Sequence, residues 1–397
     1  MKRCAMVNSS AEAPTIILAP DSFKGTLSSA EVSAGIKEVL NEFIPYANVA
    51  RIIMADGGEG TLSALASSMP LTIQSNIVMD PLGHPHTAKW GFMPERKIAV
   101  VEMAEASGLT LVNPSQKDPL HATSYGTGEL IRAALDEGAT TVLIGIGGSA
   151  TNDGGMGVLS ALGVRFLDSC GCELPPCGAS LAHVSSIDYS ELDARIKQTS
   201  FRVMCDVDNP LVGPRGATAV FGPQKGVTDS NFEILEQGMT SYAALLEKIF
   251  GEDVASMPGA GAAGGLGCAL HTFLGAELVS GASCILDLAN FDELLRESSF
   301  CITGEGHLDA QTAGGKAVAV VAERCAKFQE PCFVIAGGSD ATPEDLRTMG
   351  LAALETCDGG GRGHDEALLY PRQTLLEAAR RLIIRLLNGE FDVPLSV

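Results

Sequence analysis

Short apolar runs alternate with amphipathic segments over much of this chain. Residues 15–18 form an apolar, β-branched run, and the segment from Ser28 to Phe43 carries apolar residues at helical spacing. Ser28 and Glu31 stand three residues apart at the start of that segment, which predicts a capping box. A second apolar run, Val49 to Met54, predicts the next strand. The pattern indicates an α/β fold with buried, largely parallel strands.

The same alternation returns towards the C-terminal end, but the middle of the chain differs. Residues 71–115 read as strands separated by proline and glycine turns. We therefore expect a doubly wound domain built from both chain ends, 1–65 and 289–397, with a mixed α/β domain inserted as residues 66–288. The C-terminal predictions are strands Phe300–Thr303, Cys332–Ala336 and Leu351–Leu354, with helices Gly314–Cys325 and Thr374–Leu387.

Composition and charge limit the possible partners. A chain of 397 residues exceeds the usual size of a single core, and 46% hydrophobic residues can fill two. The formal charge of −21 argues against nucleic acid or an anionic membrane surface, because both require a basic face. No apolar stretch approaches transmembrane length. We expect a cytoplasmic protein.

The cysteines are consistent with that compartment. There are eleven of them, an odd number, and most lie scattered in apolar runs, as buried free thiols do. Three stand close together in sequence, at Cys170, Cys172 and Cys177, with His183 as the nearby candidate for a fourth metal ligand. A cysteine-rich surface loop is the preferred interpretation of that cluster.

A glycine-rich run from Gly145 to Gly157 joins a predicted strand, residues 140–144, to a helix-compatible segment, Val158 to Gly163. A strand that ends in glycines and restarts as a helix exposes backbone N–H groups that favour an anion, usually phosphate. The alternative is a tight turn in which glycine is only the least strained residue. The polar residues inside the run favour anion binding; they are Ser149, Thr151, Asn152 and Asp153.

Five polar loops follow predicted strands, where ligands of open α/β sheets bind. Together they supply what phosphoryl transfer needs: a phosphate cradle, cations, carboxylates for magnesium and a base. The loops are Asp21 to Lys24, Asp56 to Glu59, Ser149 to Asp153, Thr303 to Asp309, and Ser339 to Asp340.

Residue type suggests a role for groups in those loops and for polar groups elsewhere in the chain. Gly147 to Thr151 is the candidate cradle, Lys24, Lys225 and Lys316 are candidate clamps, and Asp153, Asp208, Glu305 and Asp309 are candidate carboxylates. Structural alternatives stay open for several of them. Asp309 and Thr312 could cap the helix that begins near Gly314, and Glu59 could cap the helix that starts at Thr61. Lys225 could be an ordinary turn lysine.

Several common motifs are absent from the sequence. There is no Gly-x-x-x-x-Gly-Lys-Ser/Thr P-loop and no Gly-x-Ser-x-Gly nucleophile elbow. A dinucleotide fingerprint starting at Gly145 fails at its last glycine, where Ala150 or Thr151 stands.

Five motifs in consistent order resemble the bacterial glycerate kinase family, which is distinct from the eukaryotic-type and two-component glycerate kinases. The resemblance spans roughly residues 15 to 385. The motifs are Ala19-Pro-Asp-Ser-Phe-Lys-Gly25, Ala55-Asp-Gly-Gly-Glu-Gly-Thr61, Gly147-Gly-Ser-Ala-Thr-Asn-Asp-Gly-Gly155, Pro258-Gly-Ala-Gly-Ala-Ala-Gly-Gly-Leu-Gly267, and Thr303-Gly-Glu-Gly-x-Leu-Asp-x-Gln-Thr312 with Gly315-Lys316.

The resemblance implies an enzyme that phosphorylates D-glycerate with ATP and Mg²⁺, typically at the 2-hydroxyl rather than the 3-hydroxyl. It implies a Rossmann- or flavodoxin-like domain split across both chain ends, a second α/β domain inserted between, and an active site in the interdomain cleft. A monomer or homodimer is expected. The alternatives are a kinase of another small hydroxy acid and a non-catalytic ligand-binding relative.

Within that frame, residue type and loop position suggest specific roles. Asp206 or Asp208 is the expected base. Lys24 and Lys225 are expected to act as catalytic clamps. The remaining expectations are glycerate binding by Asp21, Ser22, Lys24, Asp56, Glu59 and Arg215; ATP phosphate binding by Gly147, Gly148, Ser149, Thr151, Asn152, Gly304, Gly306 and Lys316; and Mg²⁺ binding by Asp153, Asp208, Glu305 and Asp309.

Two positions depart from the family pattern. His307 stands where the family usually has arginine, so any charge there depends on pH. The segment Cys170–Cys177 differs from the usual family loop, which makes a metal role there less expected still.

Overall fold

A computed structural model describes residues 13–55, 57–58, 60–309, 317–361 and 363–393. Residue contacts divide the chain into two compact units. The first unit combines Met1–Met54 with Ile285–Val397, and the second unit is the continuous segment Ala55–Cys284. The following bounds concern the described residues.

The strands and α-helices alternate along most of the chain. The strands are β1 (Thr15–Pro20), β2 (Asn48–Arg51), β3 (Thr72–Met79), β4 (Pro85–Met93), β5 (Ile98–Glu102), β6 (Thr141–Gly145), β7 (Arg165–Leu167), β8 (Ser186–Asp188), β9 (Ser200–Met204), β10 (Glu277–Val279), β11 (Phe300–Leu308), β12 (Cys332–Ser339) and β13 (Ala353–Thr356). The helices are α1 (Ser29–Phe43), α2 (Thr61–Ser68), α3 (Ala104–Ser107), α4 (Tyr125–Asp136), α5 (Met156–Ala161), α6 (Asp229–Phe250), α7 (Leu266–Leu274), α8 (Gly281–Leu288), α9 (Phe291–Leu295), α10 (Ala317–Phe328), α11 (Pro343–Thr348), α12 (His364–Leu369) and α13 (Pro371–Leu387).

The first unit is built on a five-stranded, fully parallel sheet with the order β13-β12-β11-β1-β2. Counted within the unit, this is the 2-1-3-4-5 order of flavodoxin-like folds. Strand β2 lies on one side of β1, and β11, β12 and β13 follow in turn on its other side. The order of strands therefore changes direction between β1 and β11. In such sheets a ligand binds beyond the carboxyl ends of the strands at that switch point.

Alternation along the strands puts two apolar faces on this sheet. One face carries Ile16, Leu18, Phe300 and Ile302, all fully buried in one cluster with apolar residues of α1 and α13. The opposite face is buried as well, as expected for a parallel sheet covered by helices on both sides. The near-continuous apolar runs of the sequence result from this double burial.

The second unit contains a six-stranded mixed sheet with the order β10-β9-β6-β5-β4-β3. Strands β5, β6, β9 and β10 are parallel, and β3 and β4 extend the sheet as an antiparallel hairpin. Strands β7 and β8 form a separate antiparallel pair. A single large apolar cluster, which includes Trp90, Phe166 and Tyr242, fills this unit.

The described residues of the segment 55–65 belong to the second unit, whereas the sequence placed them in the domain formed by the chain ends. The reason is local. A Cβ on Gly57 would lie 2.5 Å from the Cβ of Met204 at the end of β9, and the N–H of Leu62 donates a hydrogen bond to the carboxylate of Glu102. The predicted domain limits and the position of the active site stay predictions.

Several local predictions are confirmed. Ser28 caps α1, with both reciprocal bonds of the predicted capping box formed with Glu31. The α/β class and the predicted strands of both chain ends are present, with ends shifted by a few residues. Among the described residues, no helix combines the length and apolarity needed to cross a membrane.

Candidate active site

The carboxyl ends of β5, β6 and β9 meet at one edge of the second unit's sheet. The segment Gly57–Gly58 lies across this edge. The N–H of Gly147 donates to the carbonyl oxygen of Gly57 over 3.3 Å. A Cβ on Gly145 would lie 2.5 Å from that oxygen, so the close approach requires glycine. The predicted cradle therefore lies where α/β sheets bind ligands.

Exposure divides the predicted cradle into two parts. Gly148 is exposed and Gly147 is half-buried, whereas the chain from Ser149 onwards is buried. Thr151 and Asn152 have no exposed surface, and neither Thr151 Oγ1 nor Asn152 Oδ1 has a hydrogen-bond partner among the described residues. The backbone of Gly147 and Gly148 is the part of the run that solvent reaches.

Asp153 is fully buried and holds the run together. One carboxylate oxygen accepts hydrogen bonds from the N–H and hydroxyl of Ser124, at 2.8 and 2.7 Å, and from the N–H of Gly157 at 3.2 Å. The other oxygen accepts from the N–H of Gly155 at 3.1 Å. Burial raises the pKa of Asp153, and these bonds oppose that shift. By accepting these four hydrogen bonds, Asp153 stabilises the conformation of the loop.

Lys225, a predicted clamp, is also buried. Its Nζ donates to the carbonyl oxygen of Thr151 over 2.7 Å. Burial lowers the pKa of Lys225 to about 7, and the charge of Asp153 opposes that shift. An amine that is partly neutral near pH 7 still donates this hydrogen bond. Lys225 therefore stabilises the backbone of the run from its buried side.

The second glycine-rich segment, residues 258–267, packs directly on the first. The N–H of Gly154 donates to the carbonyl oxygen of Gly264 over 2.9 Å. A Cβ on Gly264 would lie 2.2 Å from the carbonyl oxygen of Thr151, and a Cβ on Gly155 would lie 2.3 Å from the Cβ of Ala269. These glycines allow two backbones to touch, so the second segment supports the first.

The loop after β9 brings several predicted residues to the same edge. Asp208 and Arg215 form an ion pair of 2.8 Å, and both side chains are largely exposed, at 74% and 67%. Asp206 accepts the N–H of Gly281 over 3.0 Å. A carboxylate and a guanidinium thus stand accessible beside the strand ends.

A second group of predicted residues lies at the switch point of the first unit's sheet. The N–H of Asp21 donates to the carbonyl oxygen of Gly304 over 2.8 Å, and the Asp21 carboxylate accepts the N–H of Ser22 over 2.6 Å. Lys24 is exposed, and its backbone nitrogen would lie 3.2 Å from a Cβ on Gly306. The structure therefore brings these five residues together.

The segment after Thr303 is strand rather than loop. Pairing with β12 continues to Leu308 opposite Ser339, which extends β11 well beyond the predicted end. Glu305 is consequently buried inside the sheet, and Asp309 is half-buried just after it. His307 is exposed, and its Nε2 lies 3.0 Å from a carboxylate oxygen of Asp340 at the end of β12.

Known proteins resemble this chain over nearly its whole length. The family model described as "Glycerate kinase family" matches residues 16–388. The chain belongs to the glycerate kinase family. It is 45% identical to "Glycerate 2-kinase" of Escherichia coli over 94% of this chain and 98% of that protein, and 43% identical to "Glycerate kinase" of Bacillus subtilis over 92% and 96%. A crystal structure from Salmonella typhimurium LT2, provisionally named glycerate kinase 2, superposes with a TM-score of 0.82 at 41% identity, covering 95% of this chain and 99% of that one.

Some residues expected from the glycerate kinase resemblance lie outside the described part of the chain. They are Asp56, Glu59 and Lys316, together with Thr312, the alternative helix cap. Their roles stay predictions.

Other residues at the site were missed from the sequence. Glu102 ends β5 at the same edge as Gly145, and it is buried where it accepts the Leu62 N–H. Its position directly after an apolar strand could have revealed it. Ser124 and Tyr242, both buried near Asp153, carry no such signal, because only the fold brings them there.

The cysteine cluster of the sequence is a loop in this glycerate kinase family member. Cys170 and Cys172 are exposed, and Cys177 is buried with its Sγ 3.6 Å from the hydroxyl of Ser180. In the described residues, the thiols close enough to share a metal ion are three others, considered below.

Proposed function

We propose that this chain transfers the γ-phosphoryl group of ATP to the 2-hydroxyl of D-glycerate, giving 2-phosphoglycerate and ADP. The observation that carries the proposal is the full-length similarity to proteins named glycerate kinase, including one named glycerate 2-kinase. The polar edges of both sheets support it, because phosphoryl transfer needs positioned cations, carboxylates and a phosphate-binding backbone.

For ATP, the exposed backbone of Gly147 and Gly148 is the proposed phosphate contact. The Gly147 N–H already donates to the carbonyl oxygen of Gly57, so the N–H of Gly148 is the proposed donor to a phosphate oxygen. The buried residues Ser149, Thr151 and Asn152 then act by shaping the turn rather than by touching the nucleotide. Gly304, Gly306 and Lys316 remain further proposed phosphate contacts.

The predicted Mg²⁺ ligands differ in how well their carboxylates are placed to bind the ion. Magnesium prefers hard carboxylate oxygens and keeps several waters, so an accessible carboxylate suits it. Asp208 meets that requirement, and Glu305 and Asp309 remain proposed ligands. Asp153 fits poorly, because four hydrogen-bond donors already occupy its oxygens. When bound, the ion neutralises charge on the transferring phosphate oxygens.

For glycerate, Lys24 and Arg215 are the proposed anchors of the substrate carboxylate, since both are exposed cations. Asp21, Ser22, Asp56 and Glu59 are proposed to orient its hydroxyls. Asp206 or Asp208 accepts the hydroxyl proton as the substrate oxygen bonds to the γ-phosphorus. The bond from that phosphorus to the bridging oxygen breaks, and ADP leaves.

A coupled assay of ADP release tests the proposal directly. With ATP and Mg²⁺, we expect turnover with D-glycerate well above that with L-glycerate, glycolate, lactate or tartronate. Phosphorus NMR of the product then distinguishes the 2-phosphate from the 3-phosphate. Preferred turnover of another acid would assign a different hydroxy-acid kinase. A thermal shift with the ligands but no ADP release would assign a non-catalytic binder.

Site variants test the residue roles. Replacing Lys24 or Asp208 by alanine should lower kcat by about a hundredfold or more, because each removes a charge from the proposed transfer site. Lys327→Ala and Asp365→Ala remove exposed charges elsewhere and should leave kcat unchanged. Near-wild-type turnover in both site variants would refute the assignment while leaving the family membership untouched.

A further inference from the structure

Three buried thiols meet inside the first unit. Cys301 lies on β11, Cys325 on α10 and Cys332 on β12. Their sulfur atoms all lie within 4.8 Å of one another, and none of the three residues is more than 1% exposed. No role assigned above uses them.

Three separate elements fix the positions of these thiols. Cys301 and Cys332 are register partners on adjacent parallel strands, so their side chains emerge side by side on one face of the sheet. Their neighbours Phe300 and Phe333 belong to the cluster on the opposite face. Cys325 reaches the pair from the helix that packs on β11 and β12. The sulfur atoms are thus arranged before any ligand arrives.

The separation of the sulfur atoms suits a shared central atom. Bonds from sulfur to a metal are about 2.3 Å long, so three sulfurs around one atom lie up to about 4 Å apart. Small side-chain rotations would close the observed group to that distance. All the ligand atoms in the group are sulfur. This favours a soft, three-coordinate species over zinc, which takes four ligands in structural sites.

Burial decides which soft species fits. Net charge in an apolar interior is costly. Three thiolates around Cu⁺ would leave two negative charges, and three around Zn²⁺ would leave one. Three thiolates around a trivalent metalloid leave none. The surrounding helix residues Val318, Val321 and Ala322 are fully buried and supply no compensating charge.

We propose that Cys301, Cys325 and Cys332 form a binding site for trivalent arsenic, taken up as arsenous acid. Three As–O bonds break and three As–S bonds form. Each thiol proton leaves with a hydroxide as water, so three waters are released and no oxidation state changes. The product is a neutral As(S)₃ unit that links β11, α10 and β12.

The chain provides a route to the site. Cys325 lies in the last turn of α10, and Cys332 is the first residue of β12, so only residues 329–331 separate the two elements. This short turn lies at the amino end of the strands, away from Asp21 and Gly304, and its backbone accepts the N–H of Cys301 at Pro331 and donates to Cys325 at Glu330. Local opening of the turn would admit arsenous acid, which is small and uncharged at neutral pH.

The test uses the full chain with Cys4, Cys170 and Cys172 replaced by serine, which removes the two exposed described thiols and one outside the described residues. Incubation with arsenite should give one arsenic per chain by mass spectrometry, and X-ray absorption should show three sulfur neighbours. The melting temperature should rise by about 3 °C or more at a concentration about a hundredfold above Kd.

Two variants separate the site from general thiol binding. Cys325→Ala should lower arsenite affinity by at least about tenfold, as loss of a ligand-supporting group does in metal sites. Cys357→Ala removes another buried thiol of the same unit and should bind like the parent. Absence of stoichiometric binding, fewer than three sulfur neighbours, unchanged affinity in Cys325→Ala, or tighter binding of Cu⁺ or Zn²⁺ would each overturn the proposal. The coordination measurement on the parent stands even if a variant fails to fold.

Discussion

Lys225 is a buried amine whose charge state changes near neutral pH, which links it to stability. Its pKa is about 7 in the folded chain, below the ordinary value of 10.5. Between those values the unfolded chain holds the proton and the folded chain does not, so stability from this group rises with pH.

Lys225→Met should remove that slope. Between pH 8 and pH 10, the unfolding free energy of the parent should gain up to about 1.4 kcal/mol per pH unit relative to the variant. Urea unfolding at a series of pH values measures the difference. Loss of the bond to the Thr151 carbonyl lowers the unfolding free energy of the variant by the same amount at every pH. Parallel curves of unfolding free energy against pH would therefore contradict the prediction.

Asp153 differs from other loop carboxylates because water cannot replace it. Asp153→Ala leaves four donors without their acceptor in a buried site and should cost about 3 kcal/mol or more of unfolding free energy. Asp168→Ala is the matched control. That carboxylate accepts the N–H groups of Cys170 and Cys172 in an exposed turn, where its loss should cost about 1 kcal/mol. Equal losses in urea unfolding would refute the bracing role.

Residue-level prediction from sequence succeeded where chemistry is local. Ser28 and Glu31 lie one turn apart, so their capping box needs no tertiary information. The polarity of Asp153 and Lys225 was visible, but their burial was not. Ser124 donates to Asp153, and the carbonyl oxygen of Thr151 accepts from Lys225. Each of these partners is distant in sequence from the residue that it binds.

At the scale of elements, the contact between the two glycine-rich segments predicts different stabilities for two glycine variants. Gly264 has a φ of +71° and a Thr151 oxygen 2.2 Å from any added Cβ. Gly275, at the end of α7, has a similar φ of +65° with open space around it. Both alanine variants pay the left-handed backbone cost of about 1–2 kcal/mol.

Gly264→Ala should therefore be less stable than Gly275→Ala by about 2 kcal/mol or more, since an overpacked backbone contact adds to the shared strain. Urea unfolding of the two variants measures this difference. Similar midpoints would show that the segments can separate without loss of stability.

Element boundaries were predicted best where apolar periodicity is strong. Helix α1 and strands β1 and β12 begin within one residue of expectation. Strand β11 was predicted too short, because glycines at 304 and 306 suggest a loop. They instead permit close backbone packing against Ile335 and Phe23 within the sheet region. Sequence alone does not distinguish these two uses of glycine.

At the scale of the whole molecule, the second unit is one continuous segment with its own sheet and core. The fragment 55–284 should therefore fold alone, with a cooperative urea transition and an α/β circular dichroism spectrum. A shorter fragment, 55–204, lacks the helices α6 and α7 that complete the core and should not unfold cooperatively. A non-cooperative transition in the longer fragment would contradict the prediction.

The α/β class followed from the alternation of apolar runs and amphipathic segments. The glycerate kinase family followed from motif order along the chain, since order is informative where single motifs are ambiguous. Motif order does not give the limits of the two domains, which stay predictions. In the sequence, residues 55–61 read as another strand-end loop. Contacts of Gly57 with Met204 and of Leu62 with Glu102 are among those that assign the described residues of this segment to the second unit.

The paired glycine-rich segments also constrain how this protein can change over generations. A side chain gained at Gly264 collides with Thr151, and one gained at Gly155 collides with Ala269 on α7, so neither position can vary alone. Laboratory libraries that randomise only one segment should return almost entirely the parental glycines. Libraries that randomise both segments together would be required to find a different pair of sequences that pack, because the residues allowed in one segment depend on those present in the other.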